Sequence, residues 1–345
     1  MRKYVIFCLF AAALTACDPC TEGPCTLKDA ADAAGLRVGT VLELGAPDEE
    51  ALVAREFNAV TIHGISWGVI EPERGLWDFD QADREFAFAR DHDLRVTAMH
   101  FLWNQLLLDD LPAWVLEVTD PDDLRAAIRA RIAGLHARYG DQLARITVVN
   151  EPLTTFGFDV WPNHFHDVLG PDYIEEAFRI AAEEAPGTER FLNEILTEYS
   201  IGKAHALVAL AKSLVDAGAP IDGVGLQSHM FLGEPRWALV EETMDAIAAL
   251  GLKVAITEMD APVLPLYPIN LFDQAKRMKR NVELCLAHPA CDAVTVWGVT
   301  DRHSWLDWFL FPGTTPLLFD AELQPKPAYW AVLEELRQGR PAVAQ

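Results

Sequence analysis

Two apolar runs in this 345-residue chain end in carboxylates. Ile146-Thr147-Val148-Val149 leads into Asn150-Glu151-Pro152, and Val254-Ala255-Ile256-Thr257 leads into Glu258-Met259-Asp260. A strand-terminal Glu alone is a weak signal, because most such residues are solvated or salt-bridged. A pair on one rim says more. Cleavage of a glycosidic bond with retention of configuration needs two carboxyl groups about 5–5.5 Å apart. One stays ionised and attacks the anomeric carbon. The other stays protonated and releases the leaving oxygen, so their surroundings must hold their pKa values apart. Glu151 and Glu258 are the candidates.

Bringing them together requires a scaffold. Strand-like runs are expected at residues 37–42, 59–62, 95–100, 145–149, 190–192, 223–226, 254–257 and 293–297. Helical patterns rich in Ala, Leu, Glu and Arg separate them, at 80–91, 122–139, 173–184, 201–216, 234–250 and 271–288. Eight strands alternating with helices predict an α/β fold, a single (β/α)8 TIM barrel. A doubly wound open sheet would bring a Gly-rich phosphate turn, and neither G-x-G-x-x-G nor a P-loop occurs. In a barrel the chemistry sits at the C-terminal ends of the strands, which puts Glu151 and Glu258 on strands four and seven. The expected organisation is a signal over 1–16, a tether over 17–30 and the barrel over 31–340.

From Arg37 onward the chain resembles glycoside hydrolase family 10, known mostly as endo-β-1,4-xylanases. The resemblance rests on ordered motifs. They are Val148-Val149-Asn150-Glu151, Leu169-Gly170-Pro171-Asp172-Tyr173-Ile174 and Gly223-Val224-Gly225-Leu226-Gln227-Ser228-His229. Further along come Ile256-Thr257-Glu258-Met259-Asp260, then Val296-Trp297-Gly298-Val299-Thr300-Asp301 with Ser304-Trp305, and finally Pro325-Lys326-Pro327-Ala328-Tyr329. It implies that Glu151 is general acid and then base, and that Glu258 is the nucleophile. Asn150 would hold the 2-hydroxyl of the sugar being cleaved, Gln227 would lie near the acid/base, and His229 with Asp260 would orient Glu258. Trp297 and Trp305 would pack on that sugar. The implied activity is retaining, endo-acting cleavage of β-1,4-xylan or a related plant polysaccharide by double displacement, with no cofactor and no metal. The segment Cys285 to Cys291 resembles a disulfide of this family.

Sugar-binding segments depart from the pattern. Members carry Glu-Asn-x-x-Lys-Trp on the second strand, where this chain has the shorter Thr61-Ile62-His63-Gly64-Ile65-Ser66-Trp67. The third-strand His-x-Leu-x-Trp-His-x-Gln becomes His100-Phe101-Leu102-Trp103-Asn104-Gln105. Its second histidine is missing, so His100, Trp103 and Asn104 are the expected sugar contacts there. After strand five, Asn-Asp-Tyr-Asn becomes Asn193-Glu194-Ile195-Leu196. These changes leave two alternatives: a hydrolase of a different β-glycan, or a weakly active or non-catalytic surface glycan-binding lipoprotein. The retained carboxylates with His229 and Asp260 favour an enzyme. Gly64-Ile65-Ser66-Trp67-Gly68 fits the esterase elbow, but Pro72 breaks the helix such an elbow needs. His164-Phe165-His166 lacks further ligand spacing and reads as a loop feature of the cleft.

A formal charge of −24 argues against nucleic acid, which needs clustered Lys and Arg. Neutral polysaccharide is the easier partner. Ten Trp would supply some sugar platforms, although core packing is the commoner use of any one. Arg2 and Lys3 precede an apolar run from Tyr4 to Leu14, and Leu14-Thr15-Ala16-Cys17 resembles a bacterial lipobox. A lipid on Cys17 would tether an exported monomer to the cell envelope. Exported chains pair their cysteines, and local pairing joins Cys20 to Cys25 and Cys285 to Cys291.

Overall fold

The computed structural model describes residues 25–104, 111–263, 270–309 and 312–339. Cys17, Cys20 and the expected signal lie outside the described residues. Eight parallel strands close into one barrel in chain order. They are β1 (Arg37–Val41), β2 (Ala59–Ile62), β3 (Arg95–Ala98), β4 (Leu143–Asn150), β5 (Glu189–Glu194), β6 (Gly223–Leu226), β7 (Lys253–Met259) and β8 (Cys291–Val296). Both faces of such strands are covered, which is why they read as continuous apolar runs instead of alternating ones. Closure is completed by β8 pairing with β1, with Gly39 opposite Thr295.

The helices between strands bury one stripe each against the barrel. Those at Asp80–Asp91, Tyr173–Glu184 and Ile201–Asp216 have the ends expected from their periodicity. The expected tether does not extend to residue 30. Thr26 caps a helix over Leu27–Ala34, with its side chain on the Asp29 N–H and the Asp29 carboxylate returning to the Thr26 N–H. That capping box starts an apolar stripe, Leu27, Ala30, Ala31 and Ala34, which packs into the main core. Cys285 and Cys291 form a disulfide across the short connection into β8. Cys25 is disulfide-bonded as well.

At the pole opposite the candidate site, Arg145 is 2% exposed and bonds Glu189 at 2.7 Å and Asp292 at 2.9 Å, joining the starts of β4, β5 and β8. Its guanidinium also lies over the Phe191 ring, 3.7 Å from the centroid. Burial works against ionised Glu189, but Arg145, Lys253 and Arg37 together bring its pKa down to about 2. Removing the buried guanidinium would leave Glu189 and Asp292 with only the more exposed Lys253 and Arg37 as counter-charges. Arg145→Met is therefore expected to lower unfolding free energy by about 3 kcal/mol, measured by chemical denaturation. The kcat/KM of the folded fraction should be unchanged.

Candidate active site

The C-terminal rim gathers Asn150 and Glu151 from the end of β4, Asn193 and Glu194 from β5, and Glu258 from β7. A cleft of about 700 Å³ crosses it, with Glu151 and Glu258 both in its wall. Glu151 leaves β4 with φ +49°, a left-handed turn, while its N–H donates to Asn193 O at 2.9 Å. The turn re-aims the side chain from the strand into the cleft.

The surroundings of the two carboxylates differ. Both oxygens of Glu258 are engaged: Asn193 Nδ2 donates to Oε1 at 2.6 Å, and His229 Nε2 lies 3.1 Å from Oε2. His229 Nδ1 is 2.8 Å from Asp260 Oδ2, which also accepts from Trp305 Nε1 at 2.8 Å. Burial alone would lower the pKa of this imidazole. The carboxylates of Asp260 and Glu258 on its two nitrogens outweigh burial and raise it to about 10. An imidazolium that donates to both carboxylates is the result. Glu151 Oε1 instead accepts from neutral amides, from Gln227 Nε2 at 3.0 Å and from Asn150 Nδ2 at 3.4 Å. Burial raises its pKa above the carboxylate value, the Gln227 bond opposes that, and the nearby Glu258 charge adds to the rise.

Asn193 links the two sides. Its Oδ1 accepts from Thr257 Oγ1 at 2.6 Å, while its Nδ2 reaches Asn150 Oδ1 at 2.7 Å as well as Glu258. The room for it comes from Gly225, where a Cβ would stand 2.2 Å from Asn193 Oδ1. With Oδ1 of Asn150 occupied by Asn193 and Gln227, the Asn150 amide nitrogen turns to the Glu151 side, 3.4 Å from Oε1.

Of the other expected contacts, His100, Trp103, Trp297 and Trp305 line the cleft. Gln227 and Asp260 lie beneath it as supports. Asn104 does not line it. Its Oδ1 accepts the His164 N–H at 2.9 Å and ties the β3 loop to the helix at His164–Leu169. A short polar side chain there is committed to an open backbone donor. Sequence reasoning also missed His63, which faces the cleft 5.0 Å from the Trp297 ring and 5.8 Å from His100. Burial lowers its pKa to about 4, so it is neutral near pH 7. Lys203 and Glu194 were missed too. They form a buried pair at 3.0 Å that holds the loop after Glu151, with Lys203 on the carbonyls of Thr154 and Thr155 and Glu194 on the Leu153 N–H. The signal was available, since Asn193-Glu194 is a polar pair directly after Phe191-Leu192.

Glu198 is buried nearby, its Oε1 without a hydrogen-bond partner among the described residues, and burial raises its pKa to about 7. A carboxyl whose folded pKa lies above its unfolded value binds more protons when folded, so stability falls as pH rises from about 4.5 to 7. Glu198→Gln should flatten that slope by roughly 3 kcal/mol across the window. Denaturation midpoints at pH 4.5 and 8 would measure it, and an unchanged slope would contradict the assignment.

With this geometry in place, the relatives are informative. The family model for glycosyl hydrolase family 10 matches residues 26–335. Endo-1,4-beta-xylanase B of Thermotoga neapolitana is 29% identical over 302 residues, covering 85% of each chain. Endo-1,4-beta-xylanase A of Humicola insolens is 32% identical over 314 residues, 89% of this chain and 82% of that one. Among solved structures, xylanase 10B of Thermotoga petrophila RKU-1 in complex with xylobiose superposes with a TM-score of 0.85 at 27% identity, covering 92% of this chain and 98% of the other. Native xylanase 10B of Thermotoga maritima gives 0.84 at 28%, covering 91% and 98%. A match along nearly the whole barrel, with both carboxylates on its rim, means that the chain belongs to glycosyl hydrolase family 10.

Proposed function

We propose that this glycoside hydrolase is a retaining endo-β-1,4-xylanase in which Glu258 is the nucleophile and Glu151 the acid/base. The observation that carries the reading is the contrast between the two carboxylates in one cleft. Glu258 is held by an amide and an imidazolium, while burial favours the protonated form of Glu151. Two curated relatives are named endo-1,4-beta-xylanases, and a structural neighbour binds xylobiose.

Glu258 attacks the anomeric carbon as Glu151 protonates the departing oxygen, leaving a glycosyl ester on Glu258. Forming that ester removes the negative charge that had added to the effect of burial in raising the pKa of Glu151. Glu151, now a carboxylate, draws a proton from water, and the hydroxide so generated displaces the sugar. Asn150 offers its amide to the 2-hydroxyl, where hydrogen bonds strengthen in the transition state. His229 and Asp260 act as positioning residues, because they reach the reaction through Glu258. Cys17 carries the lipid that tethers the monomeric enzyme to the cell envelope.

The test is reducing-sugar release from soluble xylan, with the first product observed by proton NMR. A β-configured new end appearing before the α form supports the mechanism. Initial release of the α form would overturn the retaining assignment, and no release would overturn xylan as the substrate.

A further inference from the structure

The two halves of the cleft differ in what they can hold, and we propose that the half beyond Glu151 takes a leaving group that carries an aromatic ring. The inference deepens the xylanase reading and rests on it. Trp297, His63, His100 and Trp103 line the half formed by the ends of β8, β2 and β3. Three polar ring atoms there, His63 Nε2, His100 Nδ1 and Trp103 Nε1, are buried with no hydrogen-bond partner among the described residues. Buried polar groups seek partners, and sugar hydroxyls supply them. This half suits the sugar that becomes bonded to Glu258.

The opposite half lies over β5 and β6. The leaving oxygen must meet Glu151, so the leaving group runs along the loop after Glu151 and past the end of β5. Phe156, Trp161, Ile195, Leu196 and Phe231 line that wall, with Thr154, Thr155 and the Trp161 indole as its polar side chains. Aromatic rings alone would be ambiguous, because sugars also stack on them. Ile195 and Leu196 have neither a π-face nor a polar atom, and hydroxyls placed against them would lose water without replacement. An aromatic ring loses nothing there and covers Phe156, which is 82% exposed.

Backbone geometry points the same way. Leu196 sits at φ +61° and is buried against the cleft. Asn tolerates that left-handed conformation far better than a bulky aliphatic residue does. An apolar side chain stands at a position whose backbone favours a polar one, and such outliers gather at ligand sites.

The probes are benzyl β-xylobioside and xylotetraose, which can pass the same xylobiosyl unit to the enzyme. Benzyl alcohol and a sugar hydroxyl are similarly weak acids, so a difference in kcat/KM reads binding of the leaving group. Benzyl β-xylobioside is expected to be favoured by about tenfold. Leu196→Asn, which relieves the backbone, should keep the wild-type Tm or raise it while cutting that ratio by about tenfold, mainly through KM for the benzyl substrate. Phe156→Ala, at an exposed position where the fold is not at stake, should lower the ratio in the same direction. Preference of the wild type for xylotetraose, or a ratio unmoved in both variants, overturns the inference and leaves the xylanase reading intact. Cleavage of neither substrate overturns the xylanase reading, and the inference falls with it.

Discussion

Glu258→Ala is expected to lower kcat/KM on xylo-oligosaccharides by on the order of 10⁵, since without a nucleophile the covalent route is closed. That factor corresponds to about 7 kcal/mol of transition-state stabilisation. The fold should survive, because a small side chain at the cleft leaves room for water and β7 still pairs on both sides. The loss alone would not separate a nucleophile from a residue that only positions another. Azide makes the distinction. A small anion seated where the carboxylate was attacks the same face of the anomeric carbon, so an activated β-glycoside should give the α-glycosyl azide. Rescue with the β-azide, or retention of more than about a hundredth of wild-type activity, would remove Glu258 from the nucleophile's role.

The His229–Asp260 support should respond differently. Asp260→Asn removes the larger of the two negative charges that hold His229 protonated, while its amide oxygen can still accept from Trp305. Glu258 stays in place but loses its cationic partner, so the rate falls while the product configuration is retained. A positioning residue changes how fast the ester forms, and the nucleophile decides whether it forms at all.

Much of this was legible in the residues. Val254–Thr257 is an apolar run ended by Glu258, and strand ends are where a barrel exposes side chains to a ligand. The helix over Leu27–Ala34 could have been read as well. Thr26 and Asp29 are spaced as a capping box, and the apolar residues at 27, 30, 31 and 34 share one face. The Pro/Gly/Thr-rich stretch before it suggested a tether instead. Asn193 was less accessible. In the sequence it stands only within the departing fifth-strand motif, and its importance comes from a side chain that occupies the space left by Gly225. No local pattern encodes that placement. Asn104 differs for the opposite reason: it has a suitable residue type in a suitable segment, but its Oδ1 is taken by the His164 N–H. Hydrogen-bond competition of this kind is settled by loop positions, which spacing does not supply.

Glu151→Ala should separate the two steps of the reaction. With a sugar as leaving group, loss of the proton donor is expected to cost about 10²–10⁴ in kcat/KM. With a nitrophenolate, which departs without a proton, kcat/KM should stay within about tenfold of wild type. Hydrolysis of the ester still lacks its base, so kcat and KM should fall together as the glycosyl-enzyme accumulates. Azide needs no base. It should restore kcat and, by attacking the face opposite Glu258, give the β-glycosyl azide, the reverse of the outcome at Glu258→Ala. The pH profile supplies an independent check. Burial and the Glu258 charge raise the pKa of Glu151, so the alkaline limb of kcat/KM should lie above the ordinary carboxylate range. That limb should vanish in Glu151→Ala with the nitrophenyl substrate. An equal loss on both leaving groups, or an alkaline limb that persists in the variant, would move the acid/base role to another residue.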